Sequence, residues 1–346
     1  MKTKLLTVCG LCLVFLAFLF AQETDKPFVY HEEKHKGMSF VAPPNELDST
    51  AFDKVSQTKT EWISLMPYGF VGKESSEFRF AREGDTEEQH RWWGERPDGV
   101  RECIRMAKKQ GLKIMMKPHM WIGRGTFTGD FVLQSEAEWE LFERTYKEYL
   151  LQFARISEEE GVEAFCMATE MHSMVRERPD FWIKLISEIR AIYSGELTYA
   201  ENWDCYEKVP FWGQLDYIGV DAYFPLAKGE NPSLEALKKG WKPWLKNLKN
   251  FASKEQKAIL FTEIGYRSCD FSTEKPWETN YDLPDNDELQ LKAYQAFYEQ
   301  VWEQDWFAGA YLWKWFAHTR DGHKHRDKFA FQEKPAVKEI TKMYGR

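Results

Sequence analysis

Short apolar runs alternate with longer amphipathic stretches along most of this 346-residue chain. Apolar runs of four to eight residues are typical of strands buried on both faces, whereas apolar residues spaced three and four apart are typical of helices. The apolar runs predict eight strands, at residues 37–42, 62–66, 112–117, 162–169, 197–202, 217–222, 259–262 and 307–313. Helical spacing lies between or after them, at residues 46–59, 97–110, 135–160, 179–193, 234–254, 287–303 and 336–343.

This alternation predicts the fold class α/β, as a single-domain (β/α)₈ TIM barrel. Eight strands that alternate with helical stretches fit a barrel of 250 or more residues, and no linker rich in Pro or Gly divides them. The predicted domain covers residues 22–346. A long loop at residues 67–95 follows the second strand and is rich in charges and aromatic rings, as active-site loops often are.

The first residues have the pattern of an export signal. Residues 1–4 are basic and residues 5–20 are apolar, with Ala21 available as a small residue at a cleavage point. The alternative is an uncleaved membrane anchor, but the apolar stretch is short for a spanning helix. We therefore expect a signal peptide at residues 1–21, a periplasmic or secreted protein, and no stable membrane insertion after cleavage.

Charge and composition narrow the class of ligand. A formal net charge of −8 argues against a nucleic-acid groove, which needs a basic face. The 15 Trp residues suit a cleft that stacks on flat, apolar ligand faces.

Neither the cysteines nor the histidines predict a metal site. Four cysteines outside the signal segment are far apart and lack paired metal-ligand spacing, so their pairing stays open, and Cys166 is predicted to be core. One polar loop contains three histidines, His318, His323 and His325. Arg and Lys residues lie between them, and the charges of these residues would repel a metal ion. We expect no metal and no cofactor.

Two of the predicted strands end at a glutamate. Residues 258–261 lead to Glu263, and residues 161–169 lead to Glu170. A lone glutamate there is more often a helix cap or an ion-pair partner, but two at equivalent strand ends suggest an acid/base and a nucleophile acting on a glycosidic bond. Each glutamate continues an alternating set of strand residues, Cys166 and Ala168 before Glu170, and Ile259 and Phe261 before Glu263. This alternation predicts that both glutamates point into the barrel mouth.

Other strand ends supply hydrogen-bonding groups and aromatic rings that suit a sugar. The predicted substrate-binding residues are Lys117, His119, Thr169, Asn202, Trp203, Asp221, Tyr223 and Trp313. Tyr68 and Trp121, in long loops, are further candidates for outer subsites.

Several separated segments resemble glycoside hydrolase family 113, a clan A family of β-mannanases. They read FCMATEM, LTYAENWD, FWGQLDYIGVDAYFPL and LFTEIGYRS, and the resemblance runs from about Gly37 to the C-terminus. It implies a retaining (β/α)₈ β-glycosidase without a metal, with Glu170 as acid/base and Glu263 as nucleophile. Much of the clan has Asn before the acid/base, whereas this chain has Thr169, so the hydrogen bond to the sugar 2-hydroxyl must come from Thr169 or elsewhere.

The sequence thus favours a retaining endo-β-1,4-mannanase that hydrolyses β-mannan, glucomannan or mannooligosaccharides. One alternative is another clan A β-glycosidase, such as a β-mannosidase or a β-glucanase. The other is a non-catalytic carbohydrate-binding barrel, against which the presence of both glutamates argues. Endo or exo action and the oligomeric state stay open.

Overall fold

The predicted strands are parallel and close into a barrel. A computed structural model describes residues 27–72, 74–123, 126–280, 282–317 and 327–346. Its strands are β1 (His35–Val41), β2 (Trp62–Met66), β3 (Tyr68–Val71), β4 (Lys113–Met116), β5 (His119–Ile122), β6 (Ala164–Thr169), β7 (Glu196–Asn202), β8 (Ile218–Asp221), β9 (Ile259–Ile264) and β10 (Phe307–Trp315). The closed barrel runs β1-β10-β9-β8-β7-β6-β4-β2, which confirms the predicted TIM barrel.

The strands β3 and β5 lie outside the barrel and pair with each other in parallel. Neither was predicted, since the sequence favoured a loop after residue 66. Their small sheet is tied to the outer helices by Tyr149, whose hydroxyl donates to the carbonyls of Pro67 (2.7 Å) and His119 (3.0 Å). It carries Tyr68 and His119 side by side above β2 and β4.

Helices cover the outer face of the barrel. They are α1 (Asp53–Gln57), α2 (Pro97–Lys109), α3 (Glu136–Glu159), α4 (His172–Glu177), α5 (Pro179–Arg190), α6 (Leu234–Glu255), α7 (Asp287–Phe297) and α8 (Pro335–Tyr344). The capping box predicted at Ser135 and Glu138 is present. The helix predicted at residues 287–303 changes into a π-helix at Tyr298–Trp302.

The helix predicted at residues 46–59 is mostly wrong, because only Asp53–Gln57 is α-helical. The carboxylate of Asp48 accepts hydrogen bonds from the backbone N–H (2.8 Å) and the hydroxyl of Thr50. Such local side-chain bonds compete with helical backbone bonds and favour a turn.

Apolar side chains form two layers, one inside the barrel and one between barrel and helices. The inner cluster includes Trp62, Met115, Cys166, Leu260 and Tyr311, which confirms the prediction that Cys166 is core. The four described cysteines are all free and buried.

The prediction that Ile259, Phe261 and Glu263 share the inner face of the strand is wrong. Ile259 and Phe261 belong to the outer cluster, and the Phe261 ring packs against Trp241 of α6, while Leu260 lies inside the barrel. The pairing of β8 with β9 shifts register between Val220 and the next residue, and this bulge turns Glu263 inward.

Glu170 likewise does not follow simple alternation from Cys166. Ala168 belongs to the outer cluster, and the pairing of β6 with β7 shifts between Cys166 and Thr169. Glu170 then has a left-handed backbone, with φ +52°. Irregular backbone therefore directs both carboxylates.

In the described ranges, no helix combines the length and apolarity required to cross a membrane. The predicted signal peptide at residues 1–21 lies outside those ranges. His318, His323 and His325 lie outside them as well.

Candidate active site

The Glu263 carboxylate, near the end of β9, receives two buried donors. The Lys117 ammonium lies 2.6 Å from Oε1, and the Tyr223 hydroxyl donates to Oε2 at 2.7 Å. Glu263 itself is 5% exposed. The two donors fix both oxygens and complement the negative charge, as a carboxylate nucleophile requires.

One cation serves two carboxylates beneath the barrel mouth. The Lys117 ammonium also contacts Asp221 Oδ1 at 3.1 Å, and the Thr262 hydroxyl donates to the same oxygen at 2.8 Å. Burial alone would lower the pKa of Lys117, but Asp221 and Glu263 raise it above its usual value. Burial and the neighbouring Glu263 charge raise the pKa of Asp221 to about 7.

Glu170 follows β6 directly, and hydrogen bonds fix its backbone. Its N–H donates to the carbonyl of Ala200 at 2.7 Å, and the next N–H, of Met171, donates to the Tyr199 hydroxyl at 2.8 Å. That hydroxyl donates to Glu201 at 2.9 Å. A left-handed residue other than glycine costs roughly 1–2 kcal/mol, so these bonds hold a conformation that the chain would otherwise leave.

The environment of Glu170 favours its protonated form. Burial raises its pKa well above the usual range, and the negative charges of Asp221 and Glu263 raise it further, against the opposing charge of Lys117. Glu201 adds a smaller effect of the same sign, and burial raises its own pKa to about 7. A carboxyl that keeps its proton near neutral pH can act as a general acid.

An aromatic wall lies beside Glu263. The ring of His119 stacks on Trp313, with centroids 6.1 Å apart and planes at 14°, and Tyr68 packs on His119 at 5.0 Å. His119 Nε2 lies 3.6 Å from Glu263 Oε1. Burial, helped by the Lys117 charge, lowers the pKa of His119 well below its usual value, so its imidazole is neutral.

The structure brings most predicted site residues together, but two of them lie too deep to meet a substrate. Lys117 and Asp221 are both 0% exposed, which corrects the prediction that they bind sugar: they support Glu263 from below. At the strand ends, Asn202 Oδ1 accepts the N–H of Trp203 at 3.0 Å. The hydroxyl of Thr169 is buried and has no hydrogen-bond partner within the described residues.

Among the residues that the structure describes, no group of three or more His, Cys, Asp or Glu residues could bind a metal ion.

A family match decides which family the chain belongs to. The family model described as Glycoside Hydrolase Family 113 matches residues 45–334. The chain belongs to glycoside hydrolase family 113.

Solved structures agree with this family 113 assignment. A family 113 β-mannanase from Alicyclobacillus acidocaldarius is 20% identical, with a TM-score of 0.76 over 93% of this chain and 99% of that chain. A second family 113 β-1,4-mannanase is 24% identical, with a TM-score of 0.78 over 91% and 99%. A β-glucuronidase from Ruminococcus gnavus is 10% identical, with a TM-score of 0.62 over 91% and 50%.

At these identities the structural likeness alone shows the shared barrel fold. No curated protein matches the chain significantly. The family match, however, makes this chain a glycoside hydrolase.

Two residues of this family 113 site, and one ring that packs on a predicted site residue, were missed in the sequence. Thr262 supports Asp221, Glu201 anchors Tyr199, and Trp277 stacks on Trp203. Glu201 precedes Asn202 in the run YAENWD, so its position beside a strand end was a usable signal. Thr262 and Trp277 had no local signal, since their partners are distant in sequence.

We expect Lys117→Met to destabilise the protein strongly. Removing one partner of a buried ion pair leaves uncompensated charge, which typically costs about 3–5 kcal/mol. The free energy of unfolding in urea measures this loss. The matched control is Lys36→Met, which breaks a partly exposed pair with Glu61 and should cost no more than about 1 kcal/mol. Equal losses in the two variants would contradict a special role for Lys117.

We expect Asp221→Asn to move the alkaline limb of the pH profile of kcat/KM to lower pH. Asparagine keeps the oxygen that accepts from Lys117 and Thr262, and it replaces Oδ2, which has no hydrogen-bond partner among the described residues. The substitution removes a negative charge that raises the pKa of Glu170, so Glu170 should lose its proton at lower pH.

The control for this shift is Glu299→Gln, which removes an equal charge from a partly exposed pair with Lys238. Its profile should match that of the unmodified enzyme. An alkaline limb that stays in place or rises in Asp221→Asn contradicts the assignment of that limb to Glu170.

Proposed function

We propose that this family 113 chain is a retaining endo-β-1,4-mannanase, with Glu170 as acid/base and Glu263 as nucleophile. The observation that carries the proposal is the contrast between the two carboxyl groups. Glu263 is oriented by the Lys117 ammonium and the Tyr223 hydroxyl, whereas burial and nearby anions keep a proton on Glu170. A retaining glycosidase needs one ionised and one protonated carboxyl group.

In the first step, an oxygen of Glu263 attacks the anomeric carbon and forms an ester with the sugar. The bond to the leaving oxygen breaks at the same time, and Glu170 gives its proton to that oxygen. The Tyr223 hydroxyl stays on the other oxygen of Glu263, and it orients the carboxylate for attack.

In the second step, the now ionised Glu170 takes a proton from water, and the water oxygen attacks the anomeric carbon. The ester bond breaks and Glu263 leaves as a carboxylate, again next to the Lys117 ammonium. Two inversions give a product that retains the β-configuration.

The choice of β-1,4-mannan as substrate is supported by family membership and by the mannanases among the solved family 113 structures. The half-buried Trp313 beside His119 offers a flat surface for the sugar next to Glu263.

We further propose that the chain is exported, since polymeric mannan lies outside the cell that degrades it and the first residues have the pattern of a signal peptide.

Incubation with mannan, glucomannan, cellulose and xylan tests the proposed function. We expect a ladder of oligosaccharides from the first two, and proton NMR should show the β-anomer of the product first. Release of mannose alone would indicate a β-mannosidase, and preferential cleavage of cellulose would indicate a β-glucanase. An α-anomer appearing first would contradict the retaining mechanism.

A further inference from the structure

We propose that Trp277, stacked on Trp203, forms a sugar-binding platform on the leaving-group side of the cleft. Its ligand would be a β-linked hexose unit beyond the cleaved bond. This inference rests on the proposed function, because it needs a bond that is cleaved between Glu170 and Glu263.

The Trp277 ring is held on one side and open on the other. It lies on Trp203 with centroids 5.3 Å apart and planes at 24°, and it is 43% exposed. Trp203 is braced in turn by Trp244, which packs against it edge-on at 5.5 Å and donates its indole N–H to the carbonyl of Pro225 at 2.9 Å. An indole with a braced back and an open face is a surface on which the apolar face of a sugar can stack.

A buried arginine fixes the loop that carries Trp277. Arg267 is 1% exposed, and its guanidinium donates to the carbonyls of Lys275 (3.3 Å) and Asn280 (3.0 Å), one on each side of Trp277 in the sequence. Burying a guanidinium is costly unless its donors are used. Here the two terminal nitrogens hold backbone beside an exposed ring, while Nε has no hydrogen-bond partner among the described residues. The use of both terminal nitrogens on this loop points to a required position for that ring.

A second contact fixes the same loop to the segment after β8. The N–H of Leu226 donates to the carbonyl of Thr273 at 2.9 Å, and the Thr273 hydroxyl donates to Ala227 at 3.2 Å. The platform is therefore attached to the barrel at two points, and it presents a preformed surface that needs little ordering when a ligand binds.

The position of the platform indicates which part of the substrate it meets. Trp203 directly follows β7, the strand that neighbours β6 and accepts the N–H of Glu170 through Ala200. A general acid lies beside the leaving oxygen, so the unit attached to that oxygen extends past the end of β6 and β7. The His119–Trp313 pair lies instead on β5, outside the barrel, and on β10, three strands away from β7 in the barrel order.

Two substrates that differ only on the leaving-group side test the platform. Mannotetraose places sugar units there, whereas β-mannobiosyl fluoride places only a fluorine atom there. We expect Trp277→Ala to lower kcat/KM for mannotetraose roughly tenfold, with kcat/KM for the fluoride unchanged. Trp277→Phe keeps a flat ring and should recover most of the loss. Transfer of the glycosyl group to added mannobiose, relative to hydrolysis, should fall in Trp277→Ala because the acceptor uses the same surface.

The outcomes separate this inference from the proposed function. Equal losses on both substrates, or no loss on either, in a variant with an unchanged Tm would overturn the platform. If the unmodified enzyme turns over neither substrate, the proposed function fails, and calorimetric binding of mannohexaose then decides the inference. Binding that weakens about tenfold in Trp277→Ala supports the platform, and equal affinity overturns it.

Discussion

Replacement of Glu263 by alanine is expected to lower kcat on mannooligosaccharides by roughly 10⁴–10⁶-fold, the scale of loss that follows removal of a catalytic nucleophile. No leaving group should restore the first step, since the group that forms the ester is absent. Added azide fits the vacated space and attacks an activated aryl β-mannoside directly. A single inversion then gives the α-mannosyl azide, which proton NMR identifies.

The matched control is Glu196→Ala, which removes a carboxylate from the start of β7, at the other end of the barrel. Its kcat/KM should stay within a few fold of the unmodified enzyme. If Glu263→Ala kept substantial hydrolysis, or gave the β-azide, Glu263 would not be the nucleophile.

Replacement of Glu170 by alanine should have an effect that depends on the leaving group. Mannooligosaccharides have poor leaving groups that need a proton, and their hydrolysis should fall roughly 10²–10⁴-fold. A 2,4-dinitrophenyl β-mannoside needs little protonation, so the glycosyl-enzyme should form quickly and then accumulate, because no base activates water. We expect a time course with a burst of dinitrophenol release followed by slow turnover.

Azide distinguishes the two roles, because it needs no base. In Glu170→Ala it should attack the accumulated ester, restore turnover and give the β-mannosyl azide by two inversions. The α-azide from this variant would mean that Glu170 is the nucleophile and Glu263 the acid/base. The same result in both variants would contradict a division of roles.

The barrel and the ends of its strands could be predicted because both depend on local pattern. The apolar run before Glu263 needs burial on two faces, and the helix after Ser135 begins with a capping box, so each element is specified by its own residues. Parallel strands end at one mouth, and this rule alone brings Glu170 and Glu263 to the same region.

The direction of each glutamate could not be predicted, because alternation assumes regular backbone. The bulge at the end of β9 and the left-handed Glu170 depend on the partner strands, β8 and β7, and the residues that they pair with or bond to lie about 30 or more positions away in sequence. The small sheet of β3 and β5 was missed for a similar reason: each strand has four residues, and Tyr68–Val71 alternates half-buried and buried positions within a long polar loop.

The burial of the Lys117 side chain could not be predicted from the sequence either. A lysine that follows an apolar strand usually lies at a wet barrel mouth, and the run LKIMMK gives no sign of a buried ammonium. Its burial is possible because Asp221 and Glu263 supply charge from 104 and 146 residues away. The role of such a residue follows from its partners, and only the folded chain brings these together.

The Lys117 ammonium is shared by Asp221 and Glu263, and this sharing links the first step of the proposed reaction to the pKa of Glu170 in the second. Before the sugar is attached, Asp221, Glu263 and Lys117 form one trio of contacts, with a net charge of −1 when both carboxyl groups are ionised. When Glu263 becomes an ester, the trio loses one negative charge, and one of the two nearest anions that raised the pKa of Glu170 is gone. The affinity of Glu170 for a proton therefore falls at the moment when it has given its proton away and must act on water as a base. Lys117 is then left to Asp221 alone, which keeps the buried cation compensated until the ester is hydrolysed.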